Sequence, residues 1–543
     1  MKRLAQILTA SWAPWLFAAT LCLFSAALAV WFGGLNQDEG WYLYAAQLVR
    51  SGKLPYRDFF FTQGPALPLV YSLLAPVWGQ GSPVSGLLGG RLVTLALGLL
   101  ATAFAVGLAR LLVPAARRGL AGFAVFALLA GNLYHLYFTT IPKTYALGSL
   151  FLLAGLFLVA RGLGCAEDDA ETAPTRAAAA RALQLVAGGL LLAFATGTRI
   201  SLVLILPVAG LVLLARFRAL RWSFLWLGLG GALGGFLTYG FFALDPASLC
   251  GLLAAQSYHA ARGGFDPFFA LGSVSRLARG YAALGVVLFA LGALAARATR
   301  QPLAPKTRAA AARSTMRWTL GLGFAAVFAL QLSAPFPYDD YQVPIMGMLT
   351  ALIVSGFATR VRHVVPAMWF VVLVAGLVSF TSPQLQDWAT YGADRFWSRK
   401  KEMTELAKLR EVGREIKALD PDGTTMLTQD LYLAVETGRT VPEGLEMGPF
   451  SYFPDLPDDV AAAWHVHNRA SLAKLLASAP CSLAACSGYA FAIAAPTCAE
   501  TPFSEQTRFF DILKTHYDLR VEEPDFGQNA TTLLLLTRKT AAR

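Results

Sequence analysis

Apolar runs of about 20 residues, each long enough to cross a hydrocarbon layer of roughly 30 Å, recur from Ser11 to about Phe380 and then stop. That much continuous apolar chain requires lipid as its solvent. Only 14% of the 543 residues are charged and 56% are hydrophobic, against roughly 25% charged and 45–50% apolar in ordinary soluble domains. The runs predict a polytopic α-helical membrane protein of about 11 transmembrane helices. They lie near residues 11–33, 85–112, 119–137, 142–161, 182–198, 200–216, 222–244, 280–297, 317–334, 343–359 and 364–381. The fifth and sixth are short and nearly contiguous around Arg199, and merging them would invert everything downstream.

The net charge of +12 has its explanation in topology, and no nucleic-acid partner is expected. With Lys2 and Arg3 inside, alternate loops hold Arg110, Arg117 and Arg118, then Arg161, Arg176 and Arg181, then Arg216, Arg218 and Arg221. Arg297, Arg300, Lys306, Arg308, Arg313 and Arg317 follow, and finally Arg360 and Arg362. An odd number of spans then puts the C-terminal region outside the cytoplasmic membrane. Ala26-Ala27-Leu28-Ala29 has the small residues of a cleavage site, but the apolar run before it is too long for an ordinary signal, so an uncleaved first helix is expected.

Two domains follow: a membrane domain over 1–381, with an external loop at 34–84, and a soluble α/β domain over 382–543. In the second, 400–418, 470–479 and 503–515 read as helices, and 424–428, 490–494 and 531–537 as strands. The cysteines show no CxxC spacing. Outside the membrane, a disulfide between two of Cys481, Cys486 and Cys498 is compatible with the compartment, its pairing open. His465-Val466-His467 has no matching ligands nearby, so no metal and no cofactor are expected.

The external loop carries the strongest local signal. Asp38 and Glu39 stand where the chain leaves the bilayer; Trp41, Tyr44, Ala45 and Leu48 then recur with helical spacing, as at an interface. Leu67, Val70, Tyr71, Leu74 and Trp78 form a second stripe, and Pro55, Gly64 and Pro65 break the chain between the two. Two readings of the carboxylates stand: Asp38 as a helix N-cap with Glu39 in the first turn, or a membrane-edge general base.

This order of first span, external Asp-Glu pair, amphipathic helices and Pro-containing turn resembles the GT-C membrane glycosyltransferases. It is most similar to family 39, which includes protein O-mannosyltransferases and the aminoarabinose transferases of lipid A. The resemblance implies that Asp38 is the catalytic base and that Glu39 matches the second acidic position. The family's Lys-Pro-Pro-Leu-like turn corresponds to Gln63-Gly64-Pro65-Ala66-Leu67, which lacks the lysine, so any role of that lysine does not carry over. FATGTRISLVLILP around Arg199 and PFPYDDYQVPIMGML are similar to two further family segments. The resemblance covers roughly residues 11–380.

It implies an inverting transfer from a polyprenyl-phosphate sugar to a hydroxyl of a lipid, glycan or protein acceptor. That donor suits a chain without a P-loop or a strand-linked GxGxxG. Arg199, Lys143 and Arg57 are the candidate cations for the departing phosphate, with snorkelling to the headgroups as the competing reading. Tyr338, Asp339, Asp340 and Tyr341 are candidates for binding sugar or acceptor, against a solvated turn with interfacial tyrosines. The rival functions are a transporter or flippase, a polymerase or ligase of lipid-linked sugars, and a membrane-anchored assembly protein. Paired interrupted helices and internal repeats, common in transporters, are not found.

Overall fold

The computed structural model describes residues 10–82, 84, 86–166, 175–216, 220, 222–296, 307–391 and 399–539. Lys2, Arg3, Arg218, Arg221, Arg297, Arg300 and Lys306, counted above among the loop cations, lie outside the described residues. The helices of the first part are α1 (Ala13–Phe32), α2 (Gln37–Arg50), α3 (Ala66–Trp78), α4 (Gly86–Leu111), α5 (Arg118–Ala130), α6 (Leu133–Phe138), α7 (Thr144–Gly162) and α8 (Thr175–Thr198). They continue as α9 (Ile205–Ala215), α10 (Ser223–Gly235), α11 (Pro246–Ala260), α12 (Pro267–Gly280), α13 (Ala282–Ala296), α14 (Arg308–Leu332), α15 (Val343–Arg360) and α16 (Val364–Phe380).

Among the described residues, seven helices are long and apolar enough to cross a membrane, or up to eight when the pair meeting at a 77° bend, Pro267–Gly280 and Ala282–Leu294, counts as one span. The chain is thus a multi-pass helical membrane protein. The other expected runs are helical but interrupted or charged, each for a local reason. Asn132 caps α6 through a bond from the His135 amide, which splits the 119–137 run behind Gly131. The 200–216 run opens as a 3₁₀ turn, Ile200–Leu204, leaving an α9 of 11 residues. α14 is 25 residues long, but its first half carries Arg308, Arg313 and Arg317.

The two ends of the bundle differ. At one end Arg317 donates to the Leu112 carbonyl at 2.7 Å and Arg313 to the Cys165 carbonyl at 3.3 Å, just past the C-termini of α4 and α7. Cations there oppose the negative ends of those helices. α4, α7 and α15 all begin at the other end, where the first loop and the C-terminal region gather.

The C-terminal region contains α17 (Glu405–Leu419), α18 (Leu431–Thr437), α19 (Arg469–Ser478) and α20 (Phe503–His516). Its strands are β1 (Leu427–Thr428), β2 (Leu483–Cys486), β3 (Tyr517–Phe526) and β4 (Thr531–Arg538), in the order β1-β2-β4-β3. β1 pairs parallel to β2, and the other pairs are antiparallel. The expected strand near 490–494 is confined to a separate hairpin, Ile493–Ala494 with Ala499–Glu500. Cys481 and Cys486 are buried around the start and end of one strand, Cys498 sits in that hairpin, and no disulfide joins these three.

One hydrophobic core runs from the first loop into this region, including Trp41, Leu43, Phe61, Tyr71, Tyr432 and Leu535. α2, expected to lie in the interface, is instead buried on most of its faces. α3 keeps a lipid-type face, with Leu73 and Val77 exposed by 80% and 58%. α18 seals the loop to the bundle: Gln80 donates to the Val435 carbonyl at 3.0 Å and Glu436 accepts from the Leu87 amide at 3.0 Å. A Cβ at Gly40 would stand 2.3 Å from the Tyr432 amide nitrogen, which is backbone and cannot rotate away. Gly40→Ala is therefore expected to cost about 1–3 kcal/mol of stability, measured by denaturation in detergent; an unchanged midpoint would contradict this packing.

Candidate active site

The site begins with the cap of α2. The Asn36 side chain accepts from the Asp38 amide at 3.0 Å, and the Glu39 carboxylate accepts from the Asn36 amide at 3.0 Å, forming a capping box. The N-cap is thus Asn36, which corrects the capping reading of Asp38 and leaves that carboxylate for other partners. Glu39 faces inward. Arg91 of α4 grips it with two bonds of 2.8 and 2.7 Å and also donates to the carbonyls of Val30, Gly33 and Gly34. Both side chains have zero exposure. Glu39 therefore serves to position the end of α1 and the start of α2, a correction to its expected catalytic role.

Asp38 turns the other way, into a chain of charges. Its Oδ1 accepts from Trp41 Nε1 at 3.0 Å and its Oδ2 pairs with Lys143 Nζ at 2.9 Å. The same ammonium donates to Asp340 Oδ2 at 3.0 Å, and the Tyr145 hydroxyl donates to that oxygen at 2.9 Å. Burial alone would depress the Lys143 ammonium, but the Asp340 and Asp38 carboxylates outweigh it and hold the pKa well above the usual lysine range. Of the three charged side chains Asp38 is the most accessible, at 24% against 9% for Lys143 and 11% for Asp340.

Arg199 continues the chain. Its guanidinium stacks over the rings of Tyr145 at 5.1 Å and Tyr341 at 4.6 Å, and it donates to the Thr144 hydroxyl at 3.3 Å. Gly64 lets the turn reach this place: a Cβ there would stand 2.0 Å from the Gly197 carbonyl, two residues before Arg199. Arg262, absent from the sequence expectations, lies over the rings of Tyr258 at 5.6 Å and Phe336 at 5.8 Å and within the field of Tyr341. Among the described residues the Nε atoms of both Arg199 and Arg262 are buried without a hydrogen-bond partner. His259 donates to the Thr62 carbonyl at 2.6 Å; burial, helped by the Arg262 and Arg199 cations, lowers its pKa and keeps the ring neutral.

The remaining candidates divide. Tyr338 packs against Phe269 at 5.3 Å and Tyr341 at 5.6 Å, at the rim. Asp339 is turned outward onto Arg276 at 2.9 Å and Tyr134 at 2.6 Å. Arg57 is not in the cluster: it pairs with Asp58 at 3.1 Å with its side chain 40% exposed, which corrects its assignment to the phosphate.

These cations and rings gather at the end of a helical membrane bundle, where the first loop and the C-terminal region meet, and the fold as a whole is shared with solved structures of far-diverged sequence. In particular, ArnT from Cupriavidus metallidurans bound to undecaprenyl phosphate superposes with a TM-score of 0.57 at 14% identity, over 97% of this chain and 98% of that one. Its apo state gives 0.58 at 15% identity, over 96% and 97%. The oligosaccharyltransferase of Archaeoglobus fulgidus tethered with an acceptor peptide containing the NVT sequon gives 0.50 at 12% identity, over 98% of this chain and 75% of that one. At these identities the likeness is one of fold. No family model and no curated protein matches the chain.

Glu39→Gln leaves the Arg91 cation buried without its counter-charge, and is expected to cost about 3–5 kcal/mol. Glu39→Met combined with Arg91→Met should recover most of that loss. Denaturation midpoints in detergent measure both; a single variant as stable as the parent would remove the positioning role.

Proposed function

We propose that this protein is an inverting glycosyltransferase that moves a sugar from a polyprenyl-phosphate donor to an acceptor hydroxyl, with Asp38 as the base. The observation that carries this reading is the Asp38–Lys143–Asp340 chain beside two guanidiniums whose Nε atoms lack partners. A departing lipid phosphate supplies the oxygens those nitrogens lack, and a poorly hydrated site makes such contacts strong.

The acceptor oxygen attacks the anomeric carbon from the side opposite the phosphate. As the carbon–oxygen bond to phosphate breaks, its electron pair leaves with the lipid phosphate, while the hydroxyl proton passes to an Asp38 oxygen. Positioned proton transfer of this kind contributes about 10²–10⁴-fold. Lys143 and Arg199, joined by Arg262, balance the charge on the leaving phosphate, and attraction of Lys143 toward that phosphate would release Asp38 to accept the proton. Tyr338 and Tyr341 offer ring faces to the sugar; Asp340 holds Lys143, and Asp339 holds the rim through Arg276.

The bundle's arginine-rich end is the cytoplasmic one on this reading, since Arg and Lys resist translocation. The site and the 382–543 domain then face outward from a cytoplasmic membrane crossed about 11 times, counting the broken and charged helices. A carrier lipid is the donor that such a location supplies. The two fold relatives named above, bound to undecaprenyl phosphate and tethered with an acceptor peptide, support a lipid carrier and leave the acceptor class open.

The test supplies purified protein with prenyl-phosphate pentoses and hexoses and follows donor consumption. Asp38→Asn should lower turnover about 10²–10⁴-fold while retaining binding of undecaprenyl phosphate. Equal turnover by parent and variant would eliminate the base.

A further inference from the structure

The C-terminal segment from Ser487 to Cys498 reaches the site at two places. Its first end is tied to the helix that presents Asp38. Buried Asp430 accepts from Gln37 Nε2 at 3.1 Å, from the Ser487 amide at 3.1 Å and from the Ser487 hydroxyl at 2.9 Å. Gln37 immediately precedes Asp38, so one carboxylate fastens the start of α2 to the start of the segment. Tyr489 follows, its amide bonded to the Ser487 hydroxyl at 3.2 Å, and its phenol lies within the field of Asp38 and Tyr338. Burial, aided by those neighbours, pushes that phenol up to about 12.

The second end meets the cations. Cys498 Sγ lies 3.2 Å from the Tyr258 hydroxyl, and Arg262 stacks over that same tyrosine ring at 5.6 Å. The sulfur is half-buried and free, at the tip of the hairpin Ile493–Ala494 with Ala499–Glu500. Arg262 Nε, buried without a hydrogen-bond partner among the described residues, gives this tip a cation with an unused donor beside it.

We propose that residues 487–498 form a roof over the transfer site, with Cys498 bordering the place of the carrier phosphate and Tyr489 standing at the acceptor side beside Asp38. The inference rests on the polyprenyl-phosphate reading. Its consequence is that the C-terminal region is part of the substrate envelope, setting which acceptors reach Asp38 through the side chain at 489 and closing the phosphate pocket through the tip at 498.

The experiment uses the full chain with Cys250→Ser, since Cys250 is exposed and the four remaining cysteines are buried. Maleimide labelling of Cys498 is timed with and without undecaprenyl phosphate, alongside the thermal midpoint. At a lipid concentration about ten times its Kd, labelling should slow about tenfold. In a second variant carrying Cys250→Ser, Cys498→Ser and Tyr489→Cys, labelling at position 489 should be unaffected by the lipid. A raised midpoint with unchanged Cys498 labelling overturns the roof and leaves the donor reading standing. Equal protection at 489 and 498 also overturns it, because that would be a general tightening. Neither stabilisation nor protection at any lipid concentration removes the donor reading and this inference with it.

Discussion

The site depends on one ammonium shared by two carboxylates. Lys143 stands just ahead of α7, Asp38 comes from the first loop and Asp340 from the turn before α15, so a single buried cation joins three segments far apart in the chain. Removing it would leave two carboxylates facing each other in a poorly hydrated place, which is why neither can be understood alone. Aromatic rings extend the same arrangement outward: Tyr145 touches both the Asp340 oxygen and the Arg199 guanidinium, and Tyr341 lies between Arg199 and Arg262. The result is a band of positive charge with one accessible carboxylate at its edge.

A second, structural pair keeps that carboxylate in place. Glu39 and Arg91 are adjacent in purpose to Asp38 but opposite in direction, since successive positions on a helix point about a quarter-turn or more apart. Arg91 satisfies the carbonyls at the end of α1 while Glu39 completes the cap of α2, so the chain turns sharply with its polar groups paired. The C-terminal region then clamps this turn from the other side through Asp430 and α18. Two neighbouring acids in sequence therefore divide into one that holds the backbone and one that meets the pocket.

Much of the membrane part was legible because lipid imposes length and composition locally: the runs that became α1, α4, α7, α15 and α16 need no distant partner to be recognised. Runs with an internal Asn cap, a 3₁₀ start or an arginine-rich half were legible as helical, while their breaks depend on single side chains. Asp38, Lys143, Arg199 and Asp340 stood out as charges at the ends of apolar runs, and the structure brings them together. Their pairing was not readable, because the bond between Lys143 and Asp340 spans 197 positions. Arg57 shared their sequence context but turns to its neighbour Asp58. Arg262 was overlooked because it follows α11, a helix of 15 residues that is too short to read as a span. β2 was missed because Leu483–Cys486 is buried throughout and shows no alternation.

On the proposed reading this band of cations receives a lipid phosphate next to Asp38. The most direct measurement is a cryo-electron microscopy map of the full chain in nanodiscs containing undecaprenyl phosphate. Phosphate density is expected within hydrogen-bond distance of Arg199 Nε and Arg262 Nε, with Lys143 drawn away from Asp38. Phosphate density at the opposite end of the bundle, beside Arg313 and Arg317, with the Lys143 pairings unchanged, would contradict it.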